Sequence, residues 1–203
     1  MTNVDTLSPG FSDPVAQIQV AFRRILDATA QPGTVVAIGE ELSPPKGLHA
    51  AAAAVLLTLA DYETPIWLSD GLFQGQRQRD AAREFLKFHC GASIIDAPND
   101  AAFAILDGGD VTPALDAFNP GTAEYPDRST TVIFQMDRLM AGCGHTLRGP
   151  GIQDHVKLDL SYLPSERLYQ RRQFRPEFPL GIDLILASPN DLAAIPRTIE
   201  IGG

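Results

Sequence analysis

The chain has 203 residues, 44% of them hydrophobic, enough to bury a full core without help from disulfides or metal. Acidic side chains outnumber basic ones 25 to 16, for a formal charge of −9 and a pI near 4.8, so the surface as a whole repels nucleic acid and anionic lipid. A polyanionic ligand therefore needs a local basic pocket.

Residues 1–13 are polar and carry no positive charge ahead of an apolar run, which predicts neither a secretory signal nor a transit peptide. Residues 1–12 are expected to form a poorly ordered tail of one domain spanning residues 1–203. Asp13 followed by Pro14 offers an N-cap and a preset first helical position. Val15, Ile18, Phe22, Ile25, Leu26 and Thr29 then recur at helical spacing, which predicts a helix over residues 14–29. Pro32-Gly33 stops it, and the β-branched run from Thr34 to Ile38 reads as a strand. Residues 48–60 are apolar on nearly every face, which predicts a helix covered on several sides; the 11 residues 50–60 are too few to cross a bilayer.

Ile66-Trp67-Leu68 reads as a short strand and residues 74–88 as an amphipathic helix ended by Gly91. Short strands are expected at residues 93–95, 103–106 and 130–136, with a Pro-, Gly- and Asp-rich connector over 107–127 holding at most one short helix. Further strands follow near 145–147 and 155–158, either side of a Gly149-Pro150-Gly151 turn, then a helix over 164–175. Residues 182–187 are the clearest strand. Ser188-Pro189-Asn190-Asp191 is a turn by residue chemistry, so residues 192–199 should return antiparallel, with Pro196 at an edge or bulge. The alternation of helix and strand predicts an α/β protein with a mixed β-sheet flanked by helices. Cys90 and Cys143 are the only cysteines, which fits a reducing, cytoplasmic compartment.

Several uncommon segments occur in a fixed order. They are Phe22-Arg23-Arg24 with Pro32-Gly33, residues 55–61 followed by Thr64-Pro65-x-Trp67-Leu68-Ser69, Phe88-His89, and Gly121-Thr122-Ala123. Leu147-x-Gly149-x-Gly151-Ile152, Phe178-Pro179-Leu180-Gly181-Ile182-Asp183 and Ala194-Ile195-Pro196-Arg197-Thr198 complete the series. In these segments the chain resembles the PhnH family, the H subunit of the bacterial carbon–phosphorus lyase system. The resemblance implies a fold similar to the large domain of pyridoxal-phosphate-dependent transferases without the cofactor, and a homodimer. It further implies membership of a core complex with subunits G, I and J, which joins methylphosphonate to the ribose of ATP as α-D-ribose 1-methylphosphonate 5-triphosphate. On that reading the chain is a non-catalytic or auxiliary subunit of a transferase assembly, inactive alone.

The residues themselves supply few catalytic patterns. A Schiff base needs a lysine, and Lys46, Lys87 and Lys157 have the context of surface side chains, so no cofactor is expected. Cys143-Gly144-His145 and His89-Cys90 lack the ligand spacing of a zinc site, so no metal is expected either. Arg148 with Gly149 and Gly151 is the best candidate for contact with an anion, since a glycine turn can aim N–H groups at a phosphate and an arginine can grip it bidentately. Asp183 stands in an apolar run and needs a partner such as Arg148 or Arg197. Arg148, Gly149, Gly151, Asp183 and Arg197 thus make up a candidate site for a phosphonate or nucleotide, and Phe178, Pro179 and Leu180 a candidate interface. Arg167, Arg171 and Arg175 recur four apart, a basic stripe of the kind that is usually solvated. The rival reading is an independent small-molecule enzyme, or a nucleotide- or phosphonate-binding module, with an Arg148/Asp183 cleft.

Overall fold

The structure, a computed structural model, describes residues 7–174 and 177–202. In chain order its elements are α1 (Pro14–Ala30), β1 (Val36–Ala37), α2 (Ala50–Leu59), β2 (Ile66–Leu68), α3 (Gln76–Cys90), β3 (Ile94–Ile95), β4 (Phe103–Asp107), β5 (Thr131–Gln135), β6 (Ala141–Arg148), β7 (Val156–Leu158), α4 (Ser165–Gln173), β8 (Asp183–Ala187), β9 (Asp191–Ile195) and β10 (Glu200–Gly202). Seven strands form a mixed sheet in the order β1-β9-β8-β5-β4-β2-β3, and three form a small antiparallel sheet, β10-β6-β7.

In the large sheet β2, β3, β4, β5 and β8 run parallel, and β9 turns back antiparallel on β8, with Ile185 opposite Ala194. The inner strands read as continuous apolar runs because both faces are covered. On β5, Ile133 joins one buried cluster while Val132 and Phe134 join the other; on β8, Ile185 and Ala187 alternate in the same way with Leu184 and Leu186. One cluster lies under α1, α2 and α3. The other lies under α4 and the small sheet, through Leu168, Leu147, Leu158 and Ile201. The result is three layers: helices, the large sheet, then a mixed layer of small sheet and helix.

Helix α2 explains how the first layer packs. Ala51, Ala52, Ala53, Ala54, Val55 and Leu56 are all fully buried, and the short alanine side chains let the helix lie close to its neighbours on several sides. Its start is tied to the strand ends: the His49 N–H donates to Gln135 Oε1 at 2.7 Å, and Gln135 Nε2 donates to the Gly47 carbonyl at 2.8 Å. Helix α1 starts as predicted, with Asp13 accepting from the Ala16 N–H and Pro14 at the first position. Ile25 of its apolar set is buried, but Val15, Phe22 and Leu26 are exposed. Among the described residues, no helix is long and apolar enough to cross a membrane.

Three sequence expectations need correction. Pro196 does not sit within a paired strand; it follows the last residue of β9, on the stretch beyond Leu192 that the two-residue β1 is too short to flank. Strand β6 is eight residues long rather than three, because Gly142 and Gly144 take positive φ around an irregularity that lets the strand continue through them. The connector over 107–127 contains a single 3₁₀ turn at Leu115–Ala117 and the start of a second, Pro126–Arg128. Of the expected tail, residues 1–6 lie outside the described residues, while the Ser8 carbonyl contacts His89 Nε2 at 3.0 Å.

Leu56→Ala should cost about 2–5 kcal/mol, since the site is walled by helix and sheet and has little room to collapse. Urea unfolding measures it; a loss below about 1 kcal/mol would mean that α2 is less enclosed than the packing requires.

Candidate functional site

Asp183 opens β8 and Arg197 follows β9, so the β8–β9 hairpin brings them side by side. The Asp183 carboxylate accepts from the Arg197 backbone N–H and, at 3.1–3.2 Å, from Nε; Nη2 also donates to it and to Ser129 Oγ. Nη1 donates to the carbonyls of Pro126 at 2.8 Å and Pro179 at 3.2 Å. Every N–H direction of the guanidinium is thereby engaged, the bidentate geometry that arginine is suited to. An open cavity of about 360 Å³ is lined by Asp183, Arg197, Phe178 and Pro179, so two of the candidate site residues meet two of the candidate interface residues. Phe178 is 65% exposed, whereas Leu180 is half-buried and donates its N–H to the Glu177 carbonyl.

Arg148 lies elsewhere, at the end of β6. Its Nη1 donates to the Asp154 carboxylate at 3.0 Å and to the Asp154 carbonyl at 3.1 Å. Hydrogen bonds from His155 and then Arg148 hold the Asp154 carboxyl below the usual carboxylate range. Gly149 and Gly151 form a packing corner: a Cβ on Gly149 would fall 2.8 Å from Ile199 Cδ1, and one on Gly151 2.3 Å from the Ala30 carbonyl, with φ at +84°. The corner seats β6 against the end of α1 and the approach to β10.

The arginine stripe on α4 departs from expectation. Arg167 is 1% exposed and Arg171 3%, so these two face inward rather than being solvated. Arg167 is accommodated because Nε and Nη1 meet acceptors: Nε donates to the Asp110 carbonyl at 3.0 Å, and Nη1 to the Pro113 carbonyl at 2.6 Å and Gln170 Oε1 at 3.1 Å, while Nη2 has no partner among the described residues. Its guanidinium also lies 5.4 Å from the centre of the Phe134 ring. Among the described residues Arg171 has a single acceptor, the Pro196 carbonyl at 2.9 Å. Desolvation pushes its guanidinium down to about 10, with Asp183 opposing and Arg197 adding to the shift. Arg175 lies outside the described residues.

Arg171 and its neighbour Arg172 line a second cavity, of about 600 Å³, together with Arg148, Thr146 and Glu200. Sequence spacing placed Arg171 on a solvated stripe; the signal that could have found it is the apolar pattern of α4, where Leu168 fixes the buried face and Arg167 and Arg171 flank it.

Other candidates are placed as follows. Lys46, Lys87 and Lys157 are exposed. Cys90 and Cys143 are free thiols, and burial raises the Cys90 thiol above its ordinary range. Among the described residues, no three His, Cys, Asp or Glu side chains converge as a metal site. At the carboxyl ends of the parallel strands, where open α/β sheets commonly take ligands, the Gln135 amide is bound to the chain leading into α2, and His49 Nδ1 lies 3.1 Å from the Ala187 carbonyl. Nearby, burial and then Asp107 raise the Asp110 carboxyl.

The geometry is that of a layered α/β protein whose buried charges sit where the two sheets meet rather than in a nucleophile–base array. The sequence pattern of the bacterial phosphonate metabolism protein family, PhnH, matches residues 9–202, and the chain belongs to this family. It is 37% identical to "alpha-D-ribose 1-methylphosphonate 5-triphosphate synthase subunit PhnH" of Rhizobium meliloti over 96% of this chain and 94% of that one. It is also 31% identical to a "putative C-P lyase subunit protein HtxG" of Stutzerimonas stutzeri, over 90% of this chain and 85% of that one.

Asp183→Ala should destabilise the fold by about 2–3 kcal/mol in urea unfolding, somewhat under the ~3–5 kcal/mol of a fully buried pair. The reduction follows from the 32% exposure that the Asp183 side chain keeps. Asp183→Asn, which retains an acceptor for Arg197, should lose less. Equal, negligible losses in both would show that the clamp is not structural.

Proposed function

We propose that this chain is a non-catalytic or auxiliary subunit of a carbon–phosphorus lyase core complex in phosphonate catabolism, one that makes α-D-ribose 1-methylphosphonate 5-triphosphate from ATP and methylphosphonate. The observation that carries this reading is the 37% identity to a named synthase subunit along nearly the full length of both chains. Its partners on this reading are a second copy of itself and subunits G, I and J, in the cytoplasm, and its fold is a relative of the pyridoxal-phosphate-dependent transferase large domain that uses no cofactor.

Two surface features support a role in assembly. Val15, Phe22 and Leu26 are spaced i, i+7 and i+11 and leave an apolar face of α1 exposed. Phe178 presents a second exposed apolar group beside the Arg197 clamp. Apolar side chains so arranged suit contact with another subunit better than contact with water.

The experiment is co-expression with subunits G, I and J, followed by assay of free adenine from ATP, methylphosphonate and a divalent metal. The expected outcome is co-elution of this chain with the others, and adenine release only by the assembly. Phe22→Asp with Leu26→Asp should reduce co-elution while leaving the lone chain folded. Turnover by the lone chain, abolished by Arg148→Ala, would overturn the auxiliary role in favour of an independent enzyme.

A further inference from the structure

We propose that the cavity between α4 and the small sheet, lined by Arg148, Arg171 and Arg172, is a binding site for a phosphorus oxyanion, either a phosphonate or the phosphate chain of a nucleotide. This goes beyond membership of a complex and does not depend on it, because binding is read on the chain alone.

The argument begins with an imbalance of charge. Asp183 is the carboxylate that acts on both Arg197 and Arg171, yet Arg197 takes both of its oxygens. Arg171 is 3% exposed and forms no ion pair among the described residues; its Nε has no hydrogen-bond partner there and its Nη2 has only the Pro196 carbonyl. A guanidinium removed from water without a counter-charge is costly, and the cost falls if an anion occupies the adjoining space.

That space is the cavity of about 600 Å³ that Arg171 lines, ample for a phosphonate and within the usual range for small-molecule sites. Arg172 stands beside Arg171 on its wall and donates to the Ile201 carbonyl at 3.1 Å, again with no ion pair among the described residues. Arg148 completes the set from β6, 55% exposed and bound to Asp154, whose exposed carboxylate an incoming dianion can replace. Three arginines thus line one space, together with Glu200 and Thr146.

The chemistry favours a tetrahedral oxyanion over a carboxylate. Guanidinium forks approaching from α4 on one side and β6 on the other suit the several oxygens of a phosphonate or phosphate, each able to take a two-pronged contact. The overall charge of −9 disfavours anions over the rest of the surface, so selective occupancy of this cavity is expected.

The test is calorimetric titration of the intact chain at low ionic strength with methylphosphonate, inorganic phosphate, tripolyphosphate and ATP. Saturable binding that weakens as salt rises is expected, with Arg172→Gln and Arg148→Gln each reducing affinity roughly tenfold or more. Both side chains are exposed, and thermal melts of the variants verify that they fold. Methylphosphonate binding as tightly as tripolyphosphate identifies a single-phosphorus site; a marked preference for tripolyphosphate and ATP identifies a nucleotide phosphate site. Absence of saturable binding by all four probes, or undiminished binding by the double variant, would overturn the proposal while leaving the co-elution result untouched.

Discussion

The Arg197–Asp183 clamp governs how the two sheets are joined. The chain leaves the large sheet at Ile195 and enters the small one at Glu200, and Arg197 lies in the four-residue crossing. Its donors reach β8 through Asp183, the segment before β5 through Pro126 and Ser129, and the segment before β8 through Pro179. One side chain therefore holds three stretches of chain to its own crossing, at the amino-terminal ends of β5 and β8. Fixing the crossing also fixes where β10 can begin, and with it the pairing of Ile201 with Leu147 that closes the small sheet.

Hydrophobic burial supplies the stability, and the clamp supplies direction. A fully buried Leu or Ile contributes about 1.5–3 kcal/mol, and the large sheet places such residues on both faces of β4, β5 and β8. An apolar strand buried on both sides is indifferent to which face receives which layer. The asymmetry comes from the coverings: the alanine-rich α2 lies close on one side, while on the other the larger Phe118, Phe134 and Leu168 fill the space beneath α4 and the small sheet. Exchange of the two layers would leave voids on one face and clashes on the other.

Much of this was legible in the sequence because it is local. Helical spacing located α1 and α3, the apolar density of residues 48–60 marked α2 as buried, and the runs at 130–136 and 182–187 located β5 and β8. Elements whose existence depends on distant pairing were harder. Gly142 and Gly144 disguised the first half of β6, and β10 has three residues whose strand character comes from lying against β6. The candidate anion site met the same limit. Arg148 and Arg197 were both open as partners of Asp183 by residue type; the hairpin geometry gives Asp183 to Arg197, and Arg148 lines another cavity. In the arginine stripe the one local sign of an inward face is Leu168 between Arg167 and Arg171; the acceptors that make such a face tolerable are offered by remote loops.

Those acceptors separate two buried arginines that share a helix and look alike in sequence. For Arg167, the carbonyls of Asp110 and Pro113, the Gln170 side chain and the Phe134 ring reproduce much of what water gave it, and of its three nitrogens Nη2 is left without a hydrogen-bond partner among the described residues. Arg171 receives one carbonyl and shares the influence of a carboxylate already held by Arg197. A guanidinium can be buried for packing alone when the fold supplies a partner for most of its donors, as it does for Arg167 and Arg197. When the described residues instead offer one acceptor and the side chain stands on the wall of a cavity beside two more arginines, packing does not account for the arrangement. The distinction rests on the number of acceptors and on the adjoining space, not on depth of burial: among the described residues Arg171 has one acceptor where Arg167 has three, and Arg171 lines the cavity.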